Sequence, residues 1–148
     1  MKQRTCILVK PDGVEKNLIG KILDRFESEG LKLIALKMIP PTKSLMETFY
    51  AEHRGKPFYG PFMEFMMSGP IIATVWEGND IIARSRSLIG ATNSSEAGEG
   101  TLRNLYGTDN RKNLVHGSDS LASSEREINV LFDASEICGN AVTELKVF

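Results

Sequence analysis

Four short apolar segments, separated by stretches long enough for helices, constrain the fold of this chain more than any other feature. The segments are Thr5–Val9, Leu31–Ile39, Ile71–Trp76 and Leu114–His116. Proline, glycine or charged residues follow each of them, and short apolar runs bounded in this way are typical of buried strands. Helices alternating with four strands predict an α/β chain arranged as an α+β sandwich, of the ferredoxin-like split β-α-β type. We therefore expect a four-stranded antiparallel sheet covered by helices, in a strand order that the pattern does not specify.

The stretches between these segments carry their apolar residues near positions i, i+3, i+4 and i+7, the period of an amphipathic helix. The positions that define the predicted helices are Ile19, Ile22, Leu23 and Phe26; Met46, Phe49, Tyr50 and His53; Phe62, Phe65 and Met66; Ile81, Ile82, Ser85, Leu88 and Ile89; and Leu121, Ile128, Leu131 and Phe132. Ser120 is expected to cap the last helix. Pro11–Gly13 predicts a turn, and Gly90–Lys112 predicts a long loop with a short turn of helix near Leu102.

The composition is that of an ordinary globular protein and narrows the choice of partners. With 148 residues, of which 41% are hydrophobic and 25% charged, the chain predicts one domain over residues 1-148. A net charge of -1 disfavours general binding to nucleic acids or membrane surfaces, since both usually need a basic excess. No secretory signal or membrane span is evident, and Cys6 and Cys138 have neither metal-site nor disulfide spacing. We therefore expect a cytoplasmic protein with reduced thiols, no membrane partner and no specific nucleic-acid partner.

One of the chain's two histidines, His116, stands in the segment NLVHGSDS, where an apolar strand runs into a turn of small polar residues. A neutral imidazole is a nucleophile near neutral pH when a carboxylate or carbonyl holds one ring nitrogen and leaves the other free. Ser118 and Glu127 follow on the turn and on the next helix, so a carboxylate could reach the ring. The alternative is an ordinary buried histidine, which this segment alone would favour.

Three basic residues stand where a phosphate could bind. Lys10 ends the first strand at a turn, Arg86 borders the apolar stripe of its helix, and Arg103 lies in the long loop. Guanidinium groups suit phosphate oxygens because they donate hydrogen bonds in a planar fork. Each residue could instead be a solvated surface charge, and for any one of them alone that is the simpler interpretation.

Three uncharged residues extend this set. Phe58 stands on a loop between glycines and is either part of the core or a platform for a base. Thr92 and Asn113 offer hydrogen bonds to phosphate or sugar, or else they cap local backbone. By contrast, His53 shares an apolar helical stripe and is interpreted as packed at the edge of the core, and Trp76 is interpreted as core.

Six segments, taken together, are similar to those of a known family. VKPDG, FYAEH, KPF, SGP, IGATN and NLVHGSDS occur in this order and at the family's separations over essentially the whole chain. The chain resembles the nucleoside diphosphate kinases, and HGSDS with an asparagine upstream is the most specific part of the match. The resemblance implies transfer of the γ-phosphoryl group from a nucleoside triphosphate, typically ATP, to a nucleoside diphosphate, which maintains NTP and dNTP pools. It also implies a ping-pong mechanism through a phosphohistidine.

The resemblance implies a role for each candidate residue as well. His116 matches the histidine that accepts the γ-phosphoryl group, Glu127 and Ser118 match the pair that orients its ring, and Tyr50 matches a residue close to it. Phe58 matches the aromatic that stacks on the base. The residues that match those holding the phosphates or the ribose are Lys10, Arg86, Thr92, Arg103 and Asn113.

Cofactor and assembly are implied in the same way. Family members bind Mg²⁺ through the phosphates of the nucleotide, with little direct ligation by the protein, and form homohexamers or, in some bacteria, homotetramers. This chain departs from the family at Ser94 and Glu99, where prolines are usual, and at Leu105 and Asn110. Because proline restricts the unfolded chain, we expect the loop to be comparatively soft and proline at both positions to raise the thermal midpoint.

Three other functions fit part of the pattern. A relative that binds nucleotides without catalysis would lack part of the site, whereas every expected position is filled here. A protein-histidine phosphorelay module would need neither Phe58 nor Asn113. A split β-α-β RNA-binding domain would expose aromatic residues on its central strands, and these strands are aliphatic apart from Trp76.

Overall fold

The computed structural model describes residues 2–139, so the ends of the domain predicted for residues 1-148 lie outside the described residues. Its strands are β1 (Lys2–Val9), β2 (Lys32–Ile39), β3 (Ile71–Asn79) and β4 (Val115–Gly117). β1 pairs antiparallel with β3 on one side and with β4 on the other, and β2 pairs antiparallel with β3. The strand order is therefore β2-β3-β1-β4, and the predicted four-stranded antiparallel sheet is confirmed.

Helices connect the strands and cover both faces of the sheet. Within the described range they are α1 (Pro11–Glu15), α2 (Ile19–Ser28), α3 (Lys43–Phe49), α4 (Tyr59–Met66), α5 (Ile81–Ile89), α6 (Leu102–Tyr106) and α7 (Leu121–Leu131). Short 3-10 turns lie at Ala51–His53, Ser94–Glu96 and Ala134–Glu136. Ser120 caps α7 as predicted, because its hydroxyl accepts a hydrogen bond of 3.0 Å from the Ser123 amide.

Alternate residues of β1 face two separate hydrophobic clusters. Cys6 and Leu8 pack with residues of α3, α4 and α7 on one face of the sheet. Ile7 and Val9 pack with residues of α2, α5 and α6 on the other face. Because side chains alternate along a strand, a strand that is apolar at every position is buried on both faces. This burial fixes the end of β1, and with it the position of the residues that follow.

Trp76, predicted as core, is fully buried in the cluster that β1 shares with α2 and α5. Its ring packs against Phe26 with a centroid separation of 5.4 Å, and its Nε1 donates a hydrogen bond of 2.8 Å to Thr74 Oγ1. The indole N–H is therefore satisfied inside the core, as a buried tryptophan requires.

Three of the boundaries that differ from the sequence prediction lie near Lys10, His53 and His116. The predicted turn Pro11–Gly13 is the start of α1, because proline at the first helical position has a suitable φ and no N–H to leave unpaired. The helix predicted to include His53 ends at Phe49, and His53 lies in a 3-10 turn. β4 begins after Leu114 because Leu114 has a φ of 81°, in the left-handed region and far from strand values.

Candidate active site

One cavity, with a volume of about 370 Å³, gathers nearly all the residues that the sequence predicted for the site. The predicted residues that line it are Lys10, Tyr50, Phe58, Arg86, Thr92, Arg103, Asn113, His116 and Glu127. Ser118 is the exception, because it is fully buried and contacts Glu127 from within the protein. The fold therefore brings together residues from the sheet, from three helices (α5, α6 and α7) and from the loops that connect these elements.

His116 lies in the middle of β4, paired with Leu8 of β1, so a central strand fixes its backbone. Its Nε2 is 2.9 Å from Glu127 Oε1, and its ring packs edge-on against Phe49 and Tyr50, with centroid separations of 5.0 and 5.9 Å. The Nδ1 atom has no hydrogen-bond partner among the described residues. One ring nitrogen is thus held while the other stays available, the arrangement that a nucleophilic histidine needs.

The carboxylate that holds His116 is itself fixed from behind. Glu127 is 2% exposed, and its Oε1 accepts a hydrogen bond of 2.7 Å from the Ser118 hydroxyl. That hydroxyl accepts a hydrogen bond of 3.1 Å from the Cys6 amide of β1. Arg126 Nη2 lies 3.9 Å from Glu127 Oε2. These contacts set the direction of the carboxylate and, through it, the orientation of the imidazole ring.

Lys10 follows the last residue of β1 and is buried, with only 6% of its surface exposed. Its Nζ donates a hydrogen bond of 2.7 Å to Asn113 Oδ1 and lies 5.4 Å from the centre of the Phe62 ring. Burial and the nearby Arg103 lower the pKa of Lys10 to about 7, and Asp12 opposes this shift. A cation this poorly solvated is well suited to bind an anion, because it has little hydration to lose.

Arg103 uses its guanidinium mainly to hold backbone in place. Its Nε donates to Asn113 O at 3.2 Å, its Nη1 to Gly90 O at 3.0 Å and its Nη2 to Val115 O at 2.8 Å. Burial, followed by the charge of Arg86, lowers the pKa of Arg103 to about 10. The sequence predicted a phosphate ligand here, and the structure adds a bracing role, since the three carbonyls belong to the loop, to its exit and to β4.

Arg86 and Thr92 form the open part of the wall. Arg86 is exposed on α5, and its Nη1 donates one hydrogen bond, of 3.2 Å, to Gly117 O. Thr92 is also exposed, and its carbonyl accepts a hydrogen bond of 2.8 Å from Asn113 Nδ2. Both side chains are therefore free to adjust to a ligand, whereas Asn113 is fixed between Lys10 and the loop.

Tyr50 lies beside the reactive ring and is almost completely buried. Its hydroxyl has no hydrogen-bond partner among the described residues, and burial, reinforced by Glu127, raises its pKa far above the ordinary value. The phenol therefore stays protonated, and its contact with His116 is through the face and edge of the rings.

The outer end of the cavity is aromatic. Phe58, immediately before α4, is 43% exposed. The His53 ring lies 5.5 Å from the Phe58 ring, between Phe58 and Tyr50, so His53 lines the cavity as well as the edge of the core where the sequence predicted it. Lys56 Nζ lies 5.8 Å from the centre of the Phe58 ring and 3.3 Å from His53 Nδ1. An exposed ring with this support is a suitable platform for stacking.

Seven further residues line the cavity but were not among the predicted site residues. They are Glu52, His53, Phe62, Asn110, Arg111, Gly117 and Asp119. Glu52 and His53 belong to the quoted FYAEH segment and Asp119 to HGSDS, so proximity to those segments could have indicated them. Arg111 lies in a polar loop with no distinguishing pattern, and nothing in the sequence singles it out.

Neither a metal cluster nor a membrane segment is found in residues 2–139. No group of three or more His, Cys, Asp or Glu side chains in this range could hold a metal ion. No helix in the same range has the length and hydrophobicity that a membrane crossing needs.

Comparisons with known proteins agree with this geometry. The family model for nucleoside diphosphate kinase matches residues 3–137. The nucleoside diphosphate kinase of Halalkalibacterium halodurans is 48% identical over 135 residues, which cover 91% of this chain and 92% of that protein. The Saccharomyces cerevisiae enzyme is 50% identical over 135 residues, covering 91% of this chain and 88% of that protein.

Solved structures give the same result. The nucleoside diphosphate kinase of Aquifex aeolicus matches with a TM-score of 0.90 and 46% identity, over 93% of this chain and 99% of that chain. The enzyme of Halobacterium salinarum, solved in complex with CDP, matches with a TM-score of 0.90 and 44% identity, over 93% of this chain and 91% of that chain. Sequence and fold therefore confirm the resemblance: the chain belongs to the nucleoside diphosphate kinase family, enzymes that transfer phosphate between nucleoside triphosphates and nucleoside diphosphates.

Proposed function

We propose that this enzyme transfers the γ-phosphoryl group of a nucleoside triphosphate, typically ATP, to a nucleoside diphosphate through a phosphohistidine on His116. The observation that carries this proposal is the 2.9 Å contact between His116 Nε2 and Glu127 Oε1, together with an Nδ1 that has no partner among the described residues. A ring held in this way presents Nδ1 as the nucleophile. Such an enzyme would balance the NTP and dNTP pools of the cell, and we propose the cytoplasm as its location.

The bonds that form and break in the chemical step involve the histidine and the nucleotide, and the carboxylate partner holds the ring. The lone pair of His116 Nδ1 forms a bond to the γ-phosphorus, and the bond from that phosphorus to the bridging oxygen breaks, with its electrons leaving on the nucleoside diphosphate. The proton on Nε2 stays between the ring and Glu127, whose negative charge stabilises the cationic ring that develops. Ser118 contributes by fixing Glu127. An acceptor diphosphate then reverses the step in the same cavity, which gives ping-pong kinetics.

The cationic residues would stabilise charge on the group in transfer. Lys10 and Arg103 are buried and held by fixed partners, so they need little reorganisation when phosphate arrives. Arg86 can turn its guanidinium toward a bound phosphate from the open wall. Thr92 and Asn113 would add uncharged hydrogen bonds to phosphate or ribose. In phosphoryl transfer most of the catalytic effect comes from positioning and charge stabilisation of this kind.

Phe58 and Tyr50 would serve the base and the histidine respectively. Because every base has a π face, stacking on Phe58 favours nucleotides in general over one base. Tyr50 packs beside His116 and limits rotation of its ring. The raised pKa of Tyr50 argues against a role for its hydroxyl as a general acid.

We propose Mg²⁺ as the cofactor, carried in with the nucleotide. Asp119 and Glu52 place carboxylate oxygens on the cavity wall, the ligand type that a hard cation prefers, so the residues fit such an ion. Since no cluster of three such groups exists in the described residues, phosphates and water would supply most of its ligands. When bound, Mg²⁺ would neutralise charge on the β- and γ-phosphates.

We also propose that the enzyme is a homohexamer or a homotetramer. The edge strand β2 supports self-association, because Leu36 and Met38 are 51% and 57% exposed on it. A long apolar edge strand is a surface that pairs readily with another chain. Sedimentation should show an assembly, and a monomer at micromolar concentration would contradict this proposal.

The phosphohistidine is tested by mixing the protein with Mg²⁺ and ATP labelled at the γ-phosphate. We expect protein phosphate that is labile in acid and stable in alkali, and that disappears when a nucleoside diphosphate is added. His116→Gln should abolish the label with the thermal midpoint preserved, because glutamine keeps a polar group near Glu127. His53→Gln is the matched control, since it removes the only other histidine of the chain and should leave the label present. Label persisting on His116→Gln would contradict the proposal.

A further inference from the structure

Asp12 is a buried carboxylate that the mechanism above does not use. It lies in α1, is 5% exposed, and its Oδ2 accepts one hydrogen bond, of 3.1 Å, from the Leu114 amide. Its Oδ1 is buried and has no hydrogen-bond partner in the described part of the chain. Burying a carboxylate that has only backbone amides as donors is costly, and such a group in a native protein requires an explanation.

The hydrogen bond from Leu114 to Asp12 holds an unfavourable backbone conformation. Leu114 has a φ of 81°, in the left-handed region that residues other than glycine rarely adopt. The Leu114 carbonyl accepts a hydrogen bond of 2.9 Å from the Lys10 amide. Leu114 is therefore held through its N–H by α1 and through its carbonyl by the residue that follows β1. Asp12 therefore anchors the turn at which the chain enters β4.

That turn positions two groups at the end of the cavity lined by Lys10 and Arg103, where we propose that phosphate binds and which we call the phosphate end. The residue before Leu114 is Asn113, whose Oδ1 accepts the 2.7 Å hydrogen bond from Lys10 Nζ. The Asn113 carbonyl accepts the 3.2 Å hydrogen bond from Arg103 Nε. A change in the φ of Leu114 would rotate the preceding peptide, which contains the Asn113 carbonyl, and would displace the Asn113 side chain with it.

The charge of Asp12 acts on the same lysine. Burial, followed by Arg103, lowers the pKa of Lys10, and Asp12 opposes this shift. Burial likewise raises the pKa of Asp12, and Lys10 opposes that shift. His53 of the 3-10 turn interacts electrostatically with Lys10, and Lys16, which follows α1, lowers the pKa of Asp12. The other titratable or charged residues lining the cavity are Tyr50, Glu52, Arg86, Arg111, His116, Asp119 and Glu127.

We propose that Asp12 is a positioning residue for phosphoryl transfer, supplying the counter-charge and the backbone anchor that keep the Lys10 ammonium facing the cavity before nucleotide binds. The proposal rests on the proposed function of this site. An anchor alone does not require a charge, because an asparagine oxygen would accept the Leu114 amide equally well and at a lower desolvation cost. The carboxylate is explained by the need to keep Lys10 cationic in the empty cavity, where no phosphate is present to do so.

Asp12→Asn isolates the charge, because it preserves the shape of the side chain and an acceptor for the Leu114 amide. The measurement is the second-order rate of His116 phosphorylation by labelled ATP, in quenched-flow experiments from pH 5.5 to 9, with total phosphohistidine counted. Removing a negative charge lowers the pKa of Lys10, so Lys10 loses its proton at a lower pH. The alkaline limb of the plot of rate against pH therefore shifts to lower pH. A movement of one pH unit gives a rate about tenfold below wild type at pH 8.5 and within about twofold of it at pH 6.

Two further variants make the result decisive. Asp24→Asn on α2 is the matched control, an exposed aspartate whose loss should leave the profile unchanged. Asp12→Ser is a second neutral variant that covers a failure of Asp12→Asn to fold, and it should show the same alkaline shift. An equal loss at every pH, an unchanged profile, or failure of both neutral variants to fold would overturn the proposal. If the wild type forms no phosphohistidine, the proposed function fails, and this outcome is distinct from a wild type that reacts while Asp12→Asn shows no shift.

Discussion

The two ends of the cavity are built on different principles. At the phosphate end, Lys10, Arg103 and Glu127 are each 7% exposed or less, and fixed hydrogen bonds hold them to backbone or to buried side chains. At the base end, Phe58 is 43% exposed and Asn110 is exposed. The difference suggests that rigidity is concentrated where the transferred group, which never changes, must be placed. The end that would meet a variable base offers area and few directed contacts.

The largest effects should come from the phosphate end. Alanine at Lys10, Arg86 or Arg103 should raise the barrier to His116 phosphorylation by about 2–4 kcal/mol, in line with loss of one preorganised donor. Arg103→Ala should also lower the thermal midpoint, because each buried carbonyl that it leaves without a partner costs about 1–3 kcal/mol. Arg86→Ala should leave the midpoint nearly unchanged, since Arg86 is exposed and donates to one carbonyl.

Single-turnover rates at saturating ATP, combined with thermal melts, separate these two roles. Arg84→Ala provides the control, because Arg84 is an exposed arginine on the same helix as Arg86 and does not line the cavity. If all three substitutions raised only the nucleotide requirement and left the saturated rate unchanged, the catalytic part of the comparison would be wrong.

An intermediate effect is expected at the base end. Phe58→Ala should weaken every nucleotide by about 1–3 kcal/mol, the usual value of one base-aromatic stack. Phe58→Tyr should stay close to wild type because it keeps the face of the ring. The measurement is kcat/KM for ATP, GTP, CTP and UTP, with a mild purine bias expected from the larger stacked area.

A strong preference for one base would contradict the conclusion that the base end makes few directed contacts. Discrimination of more than about a hundredfold, or ~3 kcal/mol, would mean that a polar group reads the edge of the base. Asn110 would be the first residue to test, since it lies on the cavity wall with its side chain exposed.

The smallest effect concerns the loop that joins the two ends. The sequence predicted that proline at both positions stabilises the loop, whereas the structure predicts opposite effects at Ser94 and Glu99. Ser94 is buried, and its hydroxyl and amide both donate to Asp109 O, at 3.1 and 3.4 Å. Proline fits the first position of the 3-10 turn but removes both donors, so Ser94→Pro should lower the thermal midpoint. Glu99 is exposed, and Glu99→Pro should raise stability by ~0.4–1 kcal/mol through the unfolded chain. Melts of the single variants test this, and equal rises in both would show that Ser94 contributes nothing to holding the loop.

Much of the fold could be predicted because its elements are locally consistent. The apolar runs of β1 and β3 are buried on both faces, and the Ser120 cap and the period of α7 indicate the same helix. The boundary that could not be predicted depends on a backbone conformation that its residue type disfavours. Leucine rarely adopts a positive φ, so nothing in the residue pattern indicates that β4 begins only after Leu114.

The candidate site was predictable as a set of residues and not as a set of contacts. The quoted segments identify Lys10, Asn113 and His116, and all three line the cavity. The same residues do not reveal that Arg103 braces three carbonyls or that Asp12 is buried near Lys10. Which atom a side chain contacts depends on how segments distant in the sequence pack together. A single sequence gives the identity of each residue but not these contacts.

The burial of Trp76 also makes the protein its own optical probe. It is the only tryptophan of the chain, it lies against Phe26 inside the core, and it is absent from the cavity wall. Its fluorescence should therefore shift to longer wavelength when the core opens to water and stay nearly constant when the cavity is filled. Intrinsic emission then follows unfolding of every variant discussed above without interference from the absorbance of the bases in their ligands.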